Sequence, residues 1–239
     1  MKNIKTILLC LLFLVLFYFY ISKIPPTFLA DDSPECIVSF QTLGIQHPPG
    51  YPLSTLFGKI FLFIPIGNIM FRASIMSMLF NIFTAFLLFF IMLKILSESN
   101  KDKQYENYYY SVFAALLYLF SYTVFLHGFS AKGSIYNIQA FIVAIIFICL
   151  LNLKNNHLLL YLIGLIFGIS AGNHLPSSIA ILPAIIIAIY LQRKFITSKQ
   201  ILNSLFFLIV GLSILVYLPV RSKCDPVFSW GGSIILMIY

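Results

Sequence analysis

Three carboxylates fall within five residues at Asp31-Asp32-Ser33-Pro34-Glu35, and a short distance on comes His47-Pro48-Pro49-Gly50-Tyr51-Pro52. A carboxylate or imidazole held beside a hydroxyl can take its proton as that oxygen attacks. The chain carries further groups suited to a polar site: Lys132, the pair Asn173-His174, Arg221 and Trp230. A lysine or arginine neutralises a departing phosphate, and a guanidinium grips it through two parallel hydrogen bonds. The acids also offer oxygen ligands to a divalent cation, although acids alone do not specify one. Zinc-type ligand spacing, His-x-x-x-His, a phosphate-binding glycine loop and a serine elbow are all missing from the sequence.

These groups must be held by elements that the composition restricts. Of 239 residues, 61% are hydrophobic and 9% charged, against roughly 25% charged in a soluble domain. Too few charges remain to build a water-facing surface. The net charge of +8 is spread singly or in small groups between long apolar runs, which argues against nucleic acid and for topology signals. Helices are expected, since lipid leaves backbone groups no other partner. The fold class read from this is all-α, a polytopic membrane bundle. Its spans are expected at 7–21, 73–93, 109–126, 135–153, 158–172, 177–191 and 201–219.

With the N-terminus in the cytoplasm, the inner segments hold nine basic residues: Lys2, Lys5, Lys94, Lys101, Lys103, Lys154, Arg193, Lys194 and Lys199. The outer segments hold six: Lys23, Lys59, Arg72, Lys132, Arg221 and Lys223. That bias favours N-in. Asn155 then faces inward as well. The start of the chain also fits a secretion signal, but Thr27-Phe28-Leu29-Ala30 lacks a small-x-small cleavage site, so an uncleaved span is preferred. The loop at 22–72 is outer, and too apolar to lie slack. A short helix is expected over 36–45, opened by Ser33 as cap with Pro34 at its first position, and a second over 53–64. Cys36 and Cys224 both fall outside, where a disulfide is allowed, though nothing in the sequence pairs them.

The acids, two histidines, Lys132, Arg221 and Trp230 thus gather on one outer face. Each also has an ordinary reading: a solvated loop with a helix cap for the acids, loop-pinning for His47 and His174, a headgroup-level anchor for Arg221.

Asp32-Ser33-Pro34-Glu35, followed by Leu43-Gly44-Ile45-Gln46-His47-Pro48-Pro49-Gly50-Tyr51-Pro52-Leu53, resembles the opening signature of a multi-pass family that includes bacterial proteins and animal transmembrane protein 260. Gly168-Ile169-Ser170-Ala171-Gly172-Asn173-His174 and Tyr217-Leu218-Pro219-Val220-Arg221, then Pro226 and Trp230-Gly231, resemble later parts of it. Two positions depart: Pro34 stands where the family has glycine, and Ser134 where it has glutamate. The family continues with more spans. The resemblance therefore implies that residues 1–239 are the N-terminal portion of a GT-C-like transmembrane domain, with the apolar run from Ile234 opening another span.

The resemblance further implies a glycosyltransferase. It would move a hexose such as mannose from a polyprenyl-phosphate carrier to a protein or glycan hydroxyl on the outer face. Asp32 matches the family's acid and is the expected base, with Glu35 beside it. Arg221 and Lys132 are the expected donor-phosphate ligands. His47, His174, Asn173, Tyr51 and Trp230 are the expected supporting or substrate-binding residues. The implied location is the inner membrane of a bacterium, N-terminus cytoplasmic. Two other classes stay open, a lipid-linked sugar transporter and a non-catalytic membrane partner. Spans nearly free of charge at their centres count against the transporter. The departure at Ser134 favours the partner.

Overall fold

The computed structural model describes residues 2–27, 31–154 and 156–230. Residues 28–30, Asn155, Gly231 and the run from Ile234 lie outside the described residues. Eleven α-helices follow in order among the described residues: α1 (Lys2–Lys23), α2 (Ser33–Thr42), α3 (Pro52–Leu62), α4 (Ile69–Ser99), α5 (Gln104–Phe120), α6 (Tyr122–His127), α7 (Gly133–Asn152), α8 (Leu159–Ala171), α9 (Leu175–Leu191), α10 (Ser198–Leu212) and α11 (Tyr217–Lys223). Extended pairing among them is limited to one parallel bridge between Ile45 and Ser229.

Among the described residues, three stretches are long and apolar enough to cross a membrane: Ile69–Ser99, Gly133–Asn152 and Ser198–Lys223. Shorter apolar helices stand beside them. The protein is an all-α, multi-pass membrane bundle. Helices cover each expected stretch, with altered bounds. α4 runs past both ends of 73–93. The stretch 109–126 breaks at Ser121, which is extended (φ −63°, ψ 137°). The stretch 201–219 tightens into a 3-10 turn at Ser213–Val216.

The loop at 22–72 is folded as two short helices. α2 starts three residues before the expected 36, so the residue at its cap position is Asp32, not Ser33. Neither side chain caps in the usual way. Asp31 does that work instead, its Oδ1 accepting the Ser33 N–H at 2.8 Å. α2 lies on α3 through Phe40, which is fully buried. Gly58 makes room for that ring, since a Cβ there would sit 2.2 Å from Phe40 Cγ.

α4 is shared by two apolar clusters. Phe40, Met76, Ile135, Ile138 and Ile163 join α2, α4, α7 and α8. Leu16, Tyr20, Met78, Phe89 and Leu119 join α1, α4 and α5. In lipid, apolar burial drives helix association weakly, and close contact and polar links matter more. Asn137 supplies one such link. Its amide donates to Ser77 Oγ at 2.9 Å and to the His127 carbonyl at 3.2 Å. α8 and α10 supply close contact, with Gly164 against the Ser204 backbone and Gly168 against Leu208 and Gly211.

Candidate functional site

The first turn of α2 is tied to the turn before α7. Asp31 Oδ2 accepts the Ser130 hydroxyl at 2.6 Å. Ser33 Oγ lies 2.9 Å from Ser130 Oγ and accepts the Lys132 N–H at 3.3 Å. Burial alone would raise the Asp31 carboxyl. The hydrogen bonds from Ser130 and Ser33 outweigh it, with Lys132 adding to them, and hold Asp31 below the usual carboxylate value. These ties bring the Lys132 ammonium onto Asp32 Oδ2 as an ion pair. The hydrogen bond to Asp32 raises the lysine's pKa.

A second pair stands one turn along α2. The Glu35 carboxylate accepts the His47 N–H at 2.6 Å and faces His47 Nδ1 at 2.9 and 3.0 Å. A carboxylate only accepts, so Nδ1 carries the proton. Nε2 is left 3.4 Å from the Tyr51 hydroxyl. Tyr51 is left-handed (φ 44°) just before Pro52 opens α3. That backbone is costly for a non-glycine residue, and it aims the ring at His174, where the two stack with planes 9° apart.

His174 caps α9. Its Nδ1 accepts the Ser177 N–H at 3.3 Å and faces the Ser177 hydroxyl at 2.6 Å. Burial pushes its pKa below the ordinary histidine value. The loop-pinning reading of His174 is thus seen directly in this cap. Asn173 is buried behind it and donates to the Ile135 carbonyl at 2.8 Å and to Gln139 Oε1 at 3.1 Å. Trp230 reaches the site because its backbone N–H donates to the Ile45 carbonyl at 3.0 Å, and its ring meets His47 edge-on at 6.5 Å.

Arg221 is not brought to this cluster. Its Nε donates to the Leu43 carbonyl at 2.8 Å and its Nη2 to the Thr42 carbonyl at 3.1 Å. Those carbonyls end α2, whose ten residues put them roughly 15 Å from the end that carries Asp32. A helix C-terminus attracts a cation as a phosphate does. Cys36 is buried and Cys224 exposed, both as free thiols. Asp31, Asp32 and Glu35 turn to three different partners. Among the described residues no three of His, Cys, Asp and Glu gather as a metal-ligand set.

Two aromatic residues escaped sequence reasoning. Tyr136 contacts His174 at 5.7 Å and His127 at 4.7 Å between ring centroids. Tyr136 stands two residues after Ser134, and only its one-turn distance from Lys132 hints at a role. His127 gave no signal at all. Ser134, where the family has glutamate, is fully buried and 3.1 Å from Ser54 Oγ.

Below Tyr136 an apolar groove of about 680 Å³ opens between α4 and α7, lined by Leu88, Ile91, Ala140, Val143 and Phe147. From Tyr136 to Phe147 it follows α7 for roughly 16 Å. A bundle that sets paired acid and cation over such a groove defines a membrane protein with a polar site at one end. The chain matches the family described as Protein O-mannosyl-transferase TMEM260 N-terminal domain over residues 32–199, and it belongs to that family. A stretch of 73 residues is 34% identical to Protein O-mannosyl-transferase TMEM260 of Mus musculus, covering 30% of this chain and 10% of the mouse protein. No solved structure matches it.

Proposed function

We propose that this protein is a GT-C-type glycosyltransferase that moves a hexose such as mannose from a polyprenyl-phosphate carrier to a protein or glycan hydroxyl, on the outer face of a bacterial inner membrane. The carrying observation is the Asp32–Lys132 pair, one helical turn from Tyr136, which lines the apolar groove along α7. Asp32 takes the proton of the acceptor hydroxyl. The oxygen attacks the sugar's anomeric carbon from the face opposite the phosphate. The carbon–oxygen bond to phosphate breaks, and the polyprenyl phosphate leaves with the electron pair, its charge met by Lys132. Lys132 suits that task better than Arg221, which is anchored at the opposite end of α2 from Asp32. Glu35 fixes the His47 tautomer, and Tyr51, His174 and Trp230 wall the sugar. Asn173 holds the α8–α9 turn against α7.

The groove gives the carrier's tail a place. Ala140→Trp should fill it and raise the KM for a long-chain donor several-fold, while a short-chain donor is used as before. The deciding assay supplies full-chain membranes with a polyprenyl-phosphate hexose or a nucleotide sugar. Transfer from the lipid-linked donor is expected. Transfer from the nucleotide sugar in carrier-free membranes would overturn the reading.

Sidedness is a separate expectation. Asp32, Lys132, His174 and Arg221 should label from outside when replaced singly by cysteine, and Lys101 and Arg193 from the cytoplasm. The contacts support one division of the bundle. The first group sits with the α2–α3 loop, whereas Lys94 meets Asn152 at 2.5 Å and Gln192 meets the Leu150 carbonyl at 3.0 Å at the far end. Labelling of positions 32 and 193 from the same side sinks it.

A further inference from the structure

Away from the Asp32 cluster, α3 and α4 bring two cations together. Lys59 and Arg72 line a pocket of about 380 Å³ with Gln41, Leu62, Phe63 and Ile69. Arg72 is held rigid by carbonyls. Its Nε donates to Ile66, Nη1 to Leu62 and Nη2 to Gly67, at 3.0 to 3.2 Å. Lys59 Nζ donates to the Gln41 carbonyl at 2.6 Å. A guanidinium has five N–H groups and an ammonium three, so each cation keeps two donors unused. Carbonyls orient these charges without neutralising them. Among the described residues no acid lines the pocket, and neither cation has an ion-pair partner. The N-terminus of α4 adds partial positive charge at the same place, as Ile69 is its first residue.

Depth narrows the kind of anion that would fit. α4 has 31 residues and is about 46 Å long, close to a whole bilayer with its headgroups. Its first residue therefore lies at headgroup level, not in the hydrocarbon core. The neighbouring surface agrees. Leu56, Ile60 and Phe63 are exposed on one side of α3, Phe63 at 75%, and this spacing puts them on one helix face. Such a face lies in the membrane interface with its lysine reaching to the headgroups. We propose that Lys59 and Arg72 form a binding site for the phosphate of an anionic phospholipid, its acyl chains lying along Ile60 and Phe63. The site is independent of sugar transfer and of which side of the membrane it faces.

The test uses the purified full chain in detergent, with native mass spectrometry and thermal unfolding. The probes are phosphatidylglycerol, phosphatidylcholine and inorganic phosphate. Phosphatidylglycerol should be retained and should raise the unfolding temperature. Lys59→Gln should weaken that retention roughly ten-fold, as expected for losing one charged hydrogen bond, and Lys59→Arg should restore it. Equal retention of the two lipids would overturn the proposal, as would a Lys59→Gln protein that folds and binds like the wild type. Inorganic phosphate matching phosphatidylglycerol would replace the lipid by the free anion and overturn it too.

Discussion

Asp32→Asn in the full chain should remove sugar transfer, by about 10²–10⁴-fold for loss of a general base, and leave membrane insertion and folding intact. The amide keeps the size and loses the charge. Stability should barely change, because the Asp32 and Lys132 side chains are 44% and 26% exposed. Ion pairs at such exposure contribute about 0–1 kcal/mol, against a total of about 5–15 kcal/mol. Glu35→Gln should cost less, since Glu35 acts through His47. Activity per folded molecule in a membrane transfer assay is the readout. A protein with lowered folded yield but unchanged specific activity would favour the non-catalytic partner.

Gly168→Leu should destroy the fold. A single Cβ at this position would lie 2.3 Å from the Leu208 carbonyl oxygen and 2.9 Å from Gly211 Cα. Those are backbone atoms of α10, so no rotamer change relieves them. Overpacking in a core with mobile side chains costs about 1–3 kcal/mol, and an immobile neighbour raises that. α8 leads directly into Asn173 and His174, so separating α8 from α10 also moves the site. Size-exclusion of the detergent-solubilised protein should show loss of the monodisperse peak. Ile187→Ala, on the 58% exposed side of α9, serves as the control that stays folded. A Gly168→Leu protein as stable as wild type would mean the two helices do not touch here.

Long apolar runs were enough to foresee helices, and the apolar content of 22–72 was enough to foresee that it folds. Helix ends were less legible. Ser33 has a typical cap side chain, but its hydroxyl turns to Ser130 and Lys132, and Asp31 accepts the Ser33 N–H instead, while Ser130 holds the other Asp31 oxygen. That competition depends on a residue 99 positions away, which no local pattern contains. The Asp32–Lys132 meeting is non-local in the same way. Arg221 shows the reverse difficulty. Its chemistry fits phosphate, but a helix terminus presents carbonyls that a guanidinium binds equally well, and only packing decides between them.

The arginine link from α11 to the end of α2 also has a consequence in time. It joins residues 178 positions apart, so α2 waits for its partner while almost all of the intervening chain is made. At about 5–20 residues per second, that delay is roughly 10–40 s. During it, the Thr42 and Leu43 carbonyls must be satisfied by water or lipid headgroups. The C-terminal end of α2 is thus made early and tied down only after Arg221 emerges, whereas its Asp32 end meets Ser130 and Lys132 sooner. Ribosome-stalled chains ending before Tyr217 should leave position 42 open to protease, and chains ending beyond Trp230 should protect it.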